Sequence, residues 1–327
     1  MNVTDIVNNI FSVTPASFEA LALQVFNYQF QHNSVYREWA NCLNANPARI
    51  KSISDIPFLP VSFFKSHEVV TGSFNPETIF ESSGTTQTIN SRHLVKDVAL
   101  YRSSFTKGFR LFYGDVTDWC IIGLLPSYLE REHSSLVMMV HELIDMSGHP
   151  QSGFYLYDHK KLKEVLLQLN EQQQKTLVIG VTFALLDFAE QYPFTSNHIT
   201  FMETGGMKGR REELIRPQVH EILKNGFGIS EVHSEYGMTE MLSQAYSKGN
   251  GIFNSVPWMK ILVRDEDDPL QVRQQGRGVV NVIDLANVYS CSFIATDDAA
   301  NLYADGSFEV LGRVDNSDIR GCSLMVI

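Results

Sequence analysis

The chain has 327 residues, of which 44% are hydrophobic and 19% charged, and its formal net charge is −11. This is a globular composition with room for one large or two medium domains, and its acidic balance argues against a general nucleic-acid binder. No apolar run approaches the roughly 20 residues that a bilayer span needs, and no basic n-region with an apolar core opens the chain, so the expected location is cytoplasmic.

The expected elements follow in chain order. Phe18, Leu21, Val25 and Tyr28 recur at helical spacing over residues 17–32, and a second short helix is expected at Tyr36–Leu43. Residues 53–64 carry two prolines and are read as an extended segment packed on the core. Thr78-Ile79-Phe80 reads as a strand end and Asp97–Tyr113 as a helix. Next come an apolar strand at Trp119–Leu125, a helix at Ser134–Met146 capped by Ser134, and a short strand at Tyr155–Tyr157. The helix His159–Gln174 places Leu162, Val165, Leu166 and Leu169 on one face. Leu177–Val181, Ala184–Gln191 and Ile199–Met202 continue as strand, helix and strand. A helix at Arg211–Asn225, ended by Gly226, precedes a strand at Val232–Tyr236.

This alternation, from about residue 78 to 240, predicts an α/β fold with parallel sheet flanked by helices. Beyond residue 255 the pattern changes to short strands at Trp258–Val263, Val279–Ile283, Ser292–Ala295 and Phe308–Leu311, which predicts a mostly antiparallel β region. The expected division is an N-terminal helical and extended segment over 1–77, an α/β core over 78–254 and a β-rich region over 255–327 that closes the site.

Several short segments carry candidate chemistry. In Glu81-Ser82-Ser83-Gly84-Thr85-Thr86, four hydroxyls and the free N–H groups of a tight turn can face one anion. The Walker pattern is absent, and a solvated turn is the competing reading. Glu203-Thr204-Gly205-Gly206 follows a strand, and its glycines allow a flat ligand close to the backbone or simply make a turn. Tyr236-Gly237-Met238-Thr239-Glu240 offers an aromatic ring, a hydroxyl and a carboxylate within five residues, suited to a base, a phosphate and Mg2+. Asp298, in Thr296-Asp297-Asp298, can accept both hydroxyls of a ribose or cap a turn. Arg313, in Gly312-Arg313-Val314-Asp315, can grip phosphate or ribose or pair with Asp315. Cys42, Cys120, Cys291 and Cys322 are widely spaced, which argues against a disulfide framework or a zinc cage.

Taken in this order, the segments resemble the adenylate-forming enzymes, the family of acyl-CoA synthetases and related ligases. Tyr236–Glu240 matches the family's Tyr-Gly-x-Thr-Glu block and Gly312–Asp315 its Gly-Arg-x-Asp block, while Ser82–Thr86 looks like its phosphate loop. Three further stretches are similar to the acyl-protein synthetase branch, the component of bacterial luminescence that activates fatty acids for a reductase. They are Ile56–Lys65, Leu125–Arg131 and Asp318–Leu324. Departures are Gln87 in the place of a loop glycine, Thr-Asp-Asp for Thr-Gly-Asp, and a chain stopping at Ile327 where family members carry a small domain with a catalytic lysine.

The resemblance implies the large N-terminal domain of those enzymes, with the small C-terminal domain absent, and ATP-dependent conversion of a carboxylic acid to an acyl-adenylate. Ser82, Ser83, Gly84, Thr85 and Thr86 would hold the β/γ-phosphates, and Thr239 and Glu240 the α-phosphate and Mg2+. Tyr236 and Gly237 with Gly205 and Gly206 would meet the adenine, Asp298 the ribose, and Arg313 ribose or phosphate. Cys322 stands where that branch carries its acyl acceptor, and a reductase or an acyl-carrier protein is the implied partner. His133 is a candidate for the acyl pocket or a surface residue, and Lys65 a candidate to replace the missing lysine. A shortened CoA ligase, with CoA as acceptor, and a non-catalytic nucleotide- or acyl-binding partner protein are the alternatives.

Overall fold

The computed structural model describes residues 2–82, 89–125, 133–205 and 214–314. They form two compact units: one takes the chain through Phe105, then Gly237–Gln244 and the stretch from Asn254 onward, and the other takes Thr106–Tyr236 and Ala245–Phe253.

The first unit begins with helices α1 (Val3–Ile10), α2 (Pro15–His32) and α3 (Ser34–Cys42). Helix α2 buries Phe18, Leu21, Ala22, Val25, Phe26 and Gln29, one stripe at spacings of three and four residues. Gln29 is wholly buried, and its amide donates to the carbonyls of Asn287 and Val288 at 3.1 and 3.0 Å and accepts from Ser292 N–H at 3.0 Å. The proline segment is extended at its centre, where strand β1 (Leu59–Pro60) pairs in parallel with Ile294–Ala295. It is not extended throughout: Ile53–Asp55 forms a 3-10 turn and Phe63–Ser66 a turn of helix, α4, because both prolines lie outside these turns. Strands β2 (Thr78–Glu81) and β3 (Arg92–Val95) form an antiparallel hairpin, and helix α5 (Val98–Tyr113) follows.

The second unit holds β4 (Cys120–Leu124), α6 (Ser135–Ser147), β5 (Gly153–Phe154), α7 (His159–Glu171), β6 (Thr176–Gly180), α8 (Thr182–Gln191), β7 (Ile199–Glu203), α9 (Arg216–Phe227), β8 (His233–Tyr236) and β9 (Ala245–Ser247). Its strands run β5-β4-β6-β7-β8, all parallel, with β9 antiparallel to β8. Every residue of β4 and β6 is buried, as expected of strands covered on both faces.

Two expectations here are corrected. Strand β5 occupies Gly153–Phe154 rather than Tyr155–Tyr157, because pairing with β4 ends when Tyr155 N–H meets the Gly123 carbonyl, and Tyr157 is 72% exposed. Helix α9 starts at Arg216, with residues 214–215 non-helical, and runs through Gly226. Gly226 is needed there for close packing, since a Cβ would lie 2.8 Å from the Ala189 Cβ. The left-handed residue that stops the helix is Gly228, at φ +60°.

Strand β10 (Ile252–Ser255) carries the chain back to the first unit, where β11 (Met259–Arg264), β12 (Val272–Arg273), β13 (Gly276–Asp284), β14 (Phe293–Leu302) and β15 (Phe308–Arg313) pair antiparallel in the order β12-β11-β13-β14-β15. Phe293 on β14 lies against Phe26, Tyr36 and Phe58, with ring centroids 5.8–6.3 Å apart. The N-terminal helices and the proline segment are thereby built onto this β region through one aromatic cluster. The fold is α/β, with parallel sheet flanked by helices and an antiparallel β region.

Candidate functional site

In the first unit, four of the segments singled out above are linked by hydrogen bonds, an ion pair and the electrostatic influence of Arg313 on Glu240. The hairpin β2–β3 leads into and out of the Ser/Thr/Gly loop. Ser82 N–H donates to the Ser91 carbonyl at 3.0 Å, and Ser91 N–H donates to Ser82 Oγ at 2.8 Å, which extends the pairing of the hairpin by one residue on each side. Ser83, Gly84, Thr85 and Thr86 lie outside the described residues, as do Gly206 and Cys322. The Ser91 side chain hydrogen-bonds the Glu240 carboxyl, and the charges of Arg313 and Lys65 also act on that carboxyl. Arg313 faces Asp298 across β14–β15, with Nε 3.4 Å from Oδ1. Ser82, Glu240, Asp298 and Arg313 therefore belong to one neighbourhood, and Arg313 pairs with Asp298.

Glu240 is 6% exposed. Burial pushes its carboxyl above the usual carboxylate range, and the Ser91 hydrogen bond, its own backbone N–H and the two cations offset this only in part. Its segment, residues 237–244, belongs to no helix or strand, so side chains hold the backbone in place. The Thr239 carbonyl lies 2.8 Å from His93 Nδ1, and the Glu240 carbonyl accepts from Asn287 Nδ2 at 2.7 Å. Asp284, wholly buried, accepts from Leu242 N–H, Ser243 N–H, Ser243 Oγ and Ala286 N–H at 2.6–3.1 Å. Thr239 is half-buried and Gly237 exposed. Asp298 sits on a similarly braced strand: its N–H donates to Thr296 Oγ1 at 3.2 Å, and Arg264 Nη2 donates to the Thr296 carbonyl at 2.6 Å.

The second unit carries Gly205 and Tyr236. Gly205 has φ +72°, a left-handed conformation that other residues adopt only with strain. Its N–H donates to Glu203 Oε2 at 2.7 Å, and its carbonyl accepts from Thr182 N–H at 3.3 Å. Glu203 is buried and is also met by Arg216 Nε at 3.1 Å. Burial alone would raise this carboxyl, but the His220 hydrogen bond, the Arg216 charge and the bonds from Ser234 and Gly205 together hold it down at about 2. Tyr236 is buried and packs edge-on to Phe253, with centroids 6.1 Å apart. It is the last residue of β8, and the chain passes from it directly into Gly237 of the first unit. His133 is exposed immediately before α6.

The sequence reading did not single out Ser91, His93, Asn287 or Gln29. They lie in no recognisable motif. One signal was available: a strand at Thr78–Phe80 needs a partner for its backbone groups, and the residues returning from the Ser/Thr/Gly loop are the nearest candidates.

Among the described residues no group of three or more His, Cys, Asp and Glu side chains could hold a metal ion, and no helix is long and apolar enough to cross a membrane. No curated protein matches the chain in sequence. Among solved structures, 2-hydroxyisobutyryl-CoA ligase, in an open conformation with 2-HIB-AMP and CoA, is similar at 13% identity and a TM-score of 0.63, covering 96% of this chain and 79% of that one. ATP-bound MatB from Rhodopseudomonas palustris is similar at 17% identity and a TM-score of 0.54, covering 72% of this chain and 47% of that one. An ATP-bound RpMatB-BxBclM chimera is similar at 16% identity and a TM-score of 0.56, covering 75% and 49%. The chain thus spans about half the length of the MatB structures it matches, and at these identities the likeness is one of fold. The family model described as acyl-protein synthetase, LuxE, matches residues 14–327. The chain belongs to the LuxE acyl-protein synthetase family.

Proposed function

We propose that the protein activates a carboxylic acid, in this family's context a fatty acid, with ATP, and transfers the acyl group from the resulting adenylate to Cys322. The observation that carries this reading is the run of contacts joining Ser82, Ser91, Glu240, Arg313 and Asp298. It supports the reading because Ser82, Glu240 and Asp298, the residues expected at phosphate, metal and ribose, fall in one compact unit.

The acid's carboxylate oxygen attacks the α-phosphorus, a P–O bond to pyrophosphate breaks, and an acyl-adenylate forms. The reaction requires charge neutralised on phosphate oxygens and the acid held in line. Hydroxyls and N–H groups of the Ser82–Thr86 loop hold the β/γ-phosphates, the Thr239 hydroxyl reaches the α-phosphate, and Asp298 accepts the ribose hydroxyls with Arg313 beside it. Lys65, exposed on α4 and electrostatically within reach of Glu240, supplies positive charge near the α-phosphate. The residues present fit Mg2+. A single buried carboxylate whose charge the protein compensates only in part suits an ion that takes its remaining ligands from substrate phosphates and water. Mg2+ bound at Glu240 would neutralise charge on the phosphate oxygens.

In the second step a thiolate attacks the acyl carbon and AMP leaves. Two of the other cysteines are poor nucleophiles: burial pushes the thiols of Cys120 and Cys291 up to about 11 and about 12. Cys42 is exposed at the end of α3 and serves as the control. The protein is incubated with ATP, Mg2+ and radiolabelled straight-chain fatty acids of graded length, and hydroxylamine-labile label on the protein is counted. Label is expected on the wild type and on Cys42→Ser, and none on Cys322→Ser. Stable labelling of Cys322→Ser would remove Cys322 as acceptor, and CoA-dependent AMP release by that variant would favour a CoA ligase. Delivery to a reductase or carrier-protein partner belongs to the same proposal.

A further inference from the structure

We propose that His93 is a positioning residue for Thr239 and Glu240: its Nδ1–H, donated to the Thr239 carbonyl at 2.8 Å, sets the direction in which the Thr239 hydroxyl and the Glu240 carboxylate face the phosphates of ATP. The inference rests on the ATP-dependent reading above, and it assigns a role to a residue of no motif.

Thr239 and Glu240 lie in an irregular segment, where no sheet or helix ladder fixes their carbonyls. Each carbonyl is instead met by one buried side chain, His93 from β3 for Thr239 and Asn287 for Glu240. Loss of either donor leaves a carbonyl free to rotate, and with it the side chains on both sides of that peptide.

The donor is held rigidly. His93 is 1% exposed and sits in register opposite Phe80 on the pinned β2–β3 hairpin. Its ring is held edge-on by Phe64 of α4 at 5.8 Å and by Phe80 at 6.4 Å. A carbonyl partner requires the proton to be on Nδ1, so the contact also selects the tautomer. Burial pushes the ring down to about 4, so it is a neutral donor across physiological pH.

Ser91 and His93 are alternate residues of one chain segment. The first reaches the Glu240 carboxyl and the second the Thr239 backbone. The same segment is hydrogen-bonded to Ser82 through Ser91 N–H. One short segment, from Ser91 to His93, therefore ties Ser82 and the Thr-Glu pair together, and a merely apolar residue at position 93 would fill the space but not make the tie.

The test compares His93→Asn, His93→Gln and His93→Leu. The Asn amide reaches the position of Nδ1 and keeps the donor, the Gln amide reaches the position of Nε2, and Leu has no donor. ATP–pyrophosphate exchange is measured with fatty acids of graded length, together with calorimetric binding of ATP with and without Mg2+. The expected result is a kcat lower by about 10–100-fold in His93→Gln and His93→Leu, the scale of a small misplacement at a reacting centre. The gain in ATP affinity that Mg2+ confers on the wild type should shrink in both variants, and His93→Asn should recover both properties. Equal behaviour of Asn and Gln in exchange and in calorimetry would overturn the proposal, as would wild-type kcat in His93→Leu. If His93→Leu does not fold, the Asn and Gln pair decides. A wild type that binds ATP with Mg2+ but exchanges no pyrophosphate defeats the functional reading instead, and the calorimetric comparison then decides the role of His93.

Discussion

Glu203 in one compact unit and Glu240 in the other are buried to nearly the same degree, at 3% and 6% exposure, yet their surroundings treat them in opposite ways. Glu203 is surrounded by donors: Gly205 N–H, Arg216, His220 and Thr182 all meet its two oxygens within 3.8 Å. Its carboxyl is held ionised, and its work is to brace the left-handed turn at Gly205. Glu240 has Ser91 and two cations near it, and burial still wins, so its charge is compensated only in part by the protein. A buried carboxylate with a full set of partners is a structural brace. One left short of positive charge is a place where a cation or a substrate completes the set.

The comparison is open to attack from both sides. The largest effect is expected from Glu240→Gln, which should lower ATP–pyrophosphate exchange by about 10²–10³-fold, the loss typical of removing a preorganised electrostatic contact. The same variant should gain thermal stability, and gain more at pH 8 than at pH 5. The sign follows from the raised carboxyl of Glu240: its contribution is fully present below the unfolded value and is lost as pH rises through the folded one. Melting curves at the two pH values check this, and a large loss of stability would erase the contrast with Glu203.

Glu203→Gln should do the reverse. It removes the Arg216–Glu203 ion pair, and because the Arg216 side chain is 25% exposed the cost should fall at the lower end for a broken buried pair, about 3 kcal/mol by urea denaturation at pH 7. The wild-type contribution is present above the ordinary carboxylate value and is lost as pH falls from about 4.5 toward about 2. The variant should therefore show a shallower acid slope than the wild type. An unchanged slope would mean that Glu203 is not the brace described here.

The smallest effect sharpens the point within the second unit. Glu235 is raised to about 8, first by burial and then by the charge of Glu203. Its contribution is full below about 4.5 and is lost as pH rises toward about 8, so Glu235→Gln should raise stability at pH 8.5 and leave it nearly unchanged at pH 4. In a Glu203→Gln background the gain should shrink, because part of the repulsion has gone. Additive effects in the double variant would argue against coupling of the two carboxylates.

Much of the fold was legible because it is written in periodicity. The stripe Phe18, Leu21, Val25 of α2 and the apolar runs of β4 and β6 can be recognised without any tertiary information. The errors fell where local signals compete. Gly226 looked like a helix terminator, yet it is a contact glycine inside α9, and only the position of Ala189 reveals this. The candidate site was legible only as a set of residue types in order, with Glu240, Asp298 and Arg313 each of a type suited to nucleotide chemistry. Its supports were not, because Gln29, Ser91, His93 and Asn287 act across long separations on backbone groups that any residue possesses.

By itself the sequence determined the alternation of strand and helix, the change to antiparallel β structure and the identity of the chemical groups, since these depend on side-chain type and near-neighbour spacing. Tertiary structure alone decided which buried carboxyl is held low and which is raised. Desolvation and hydrogen bonding depend on the atoms that surround a group in space, and Glu203 and Glu240 differ in nothing else.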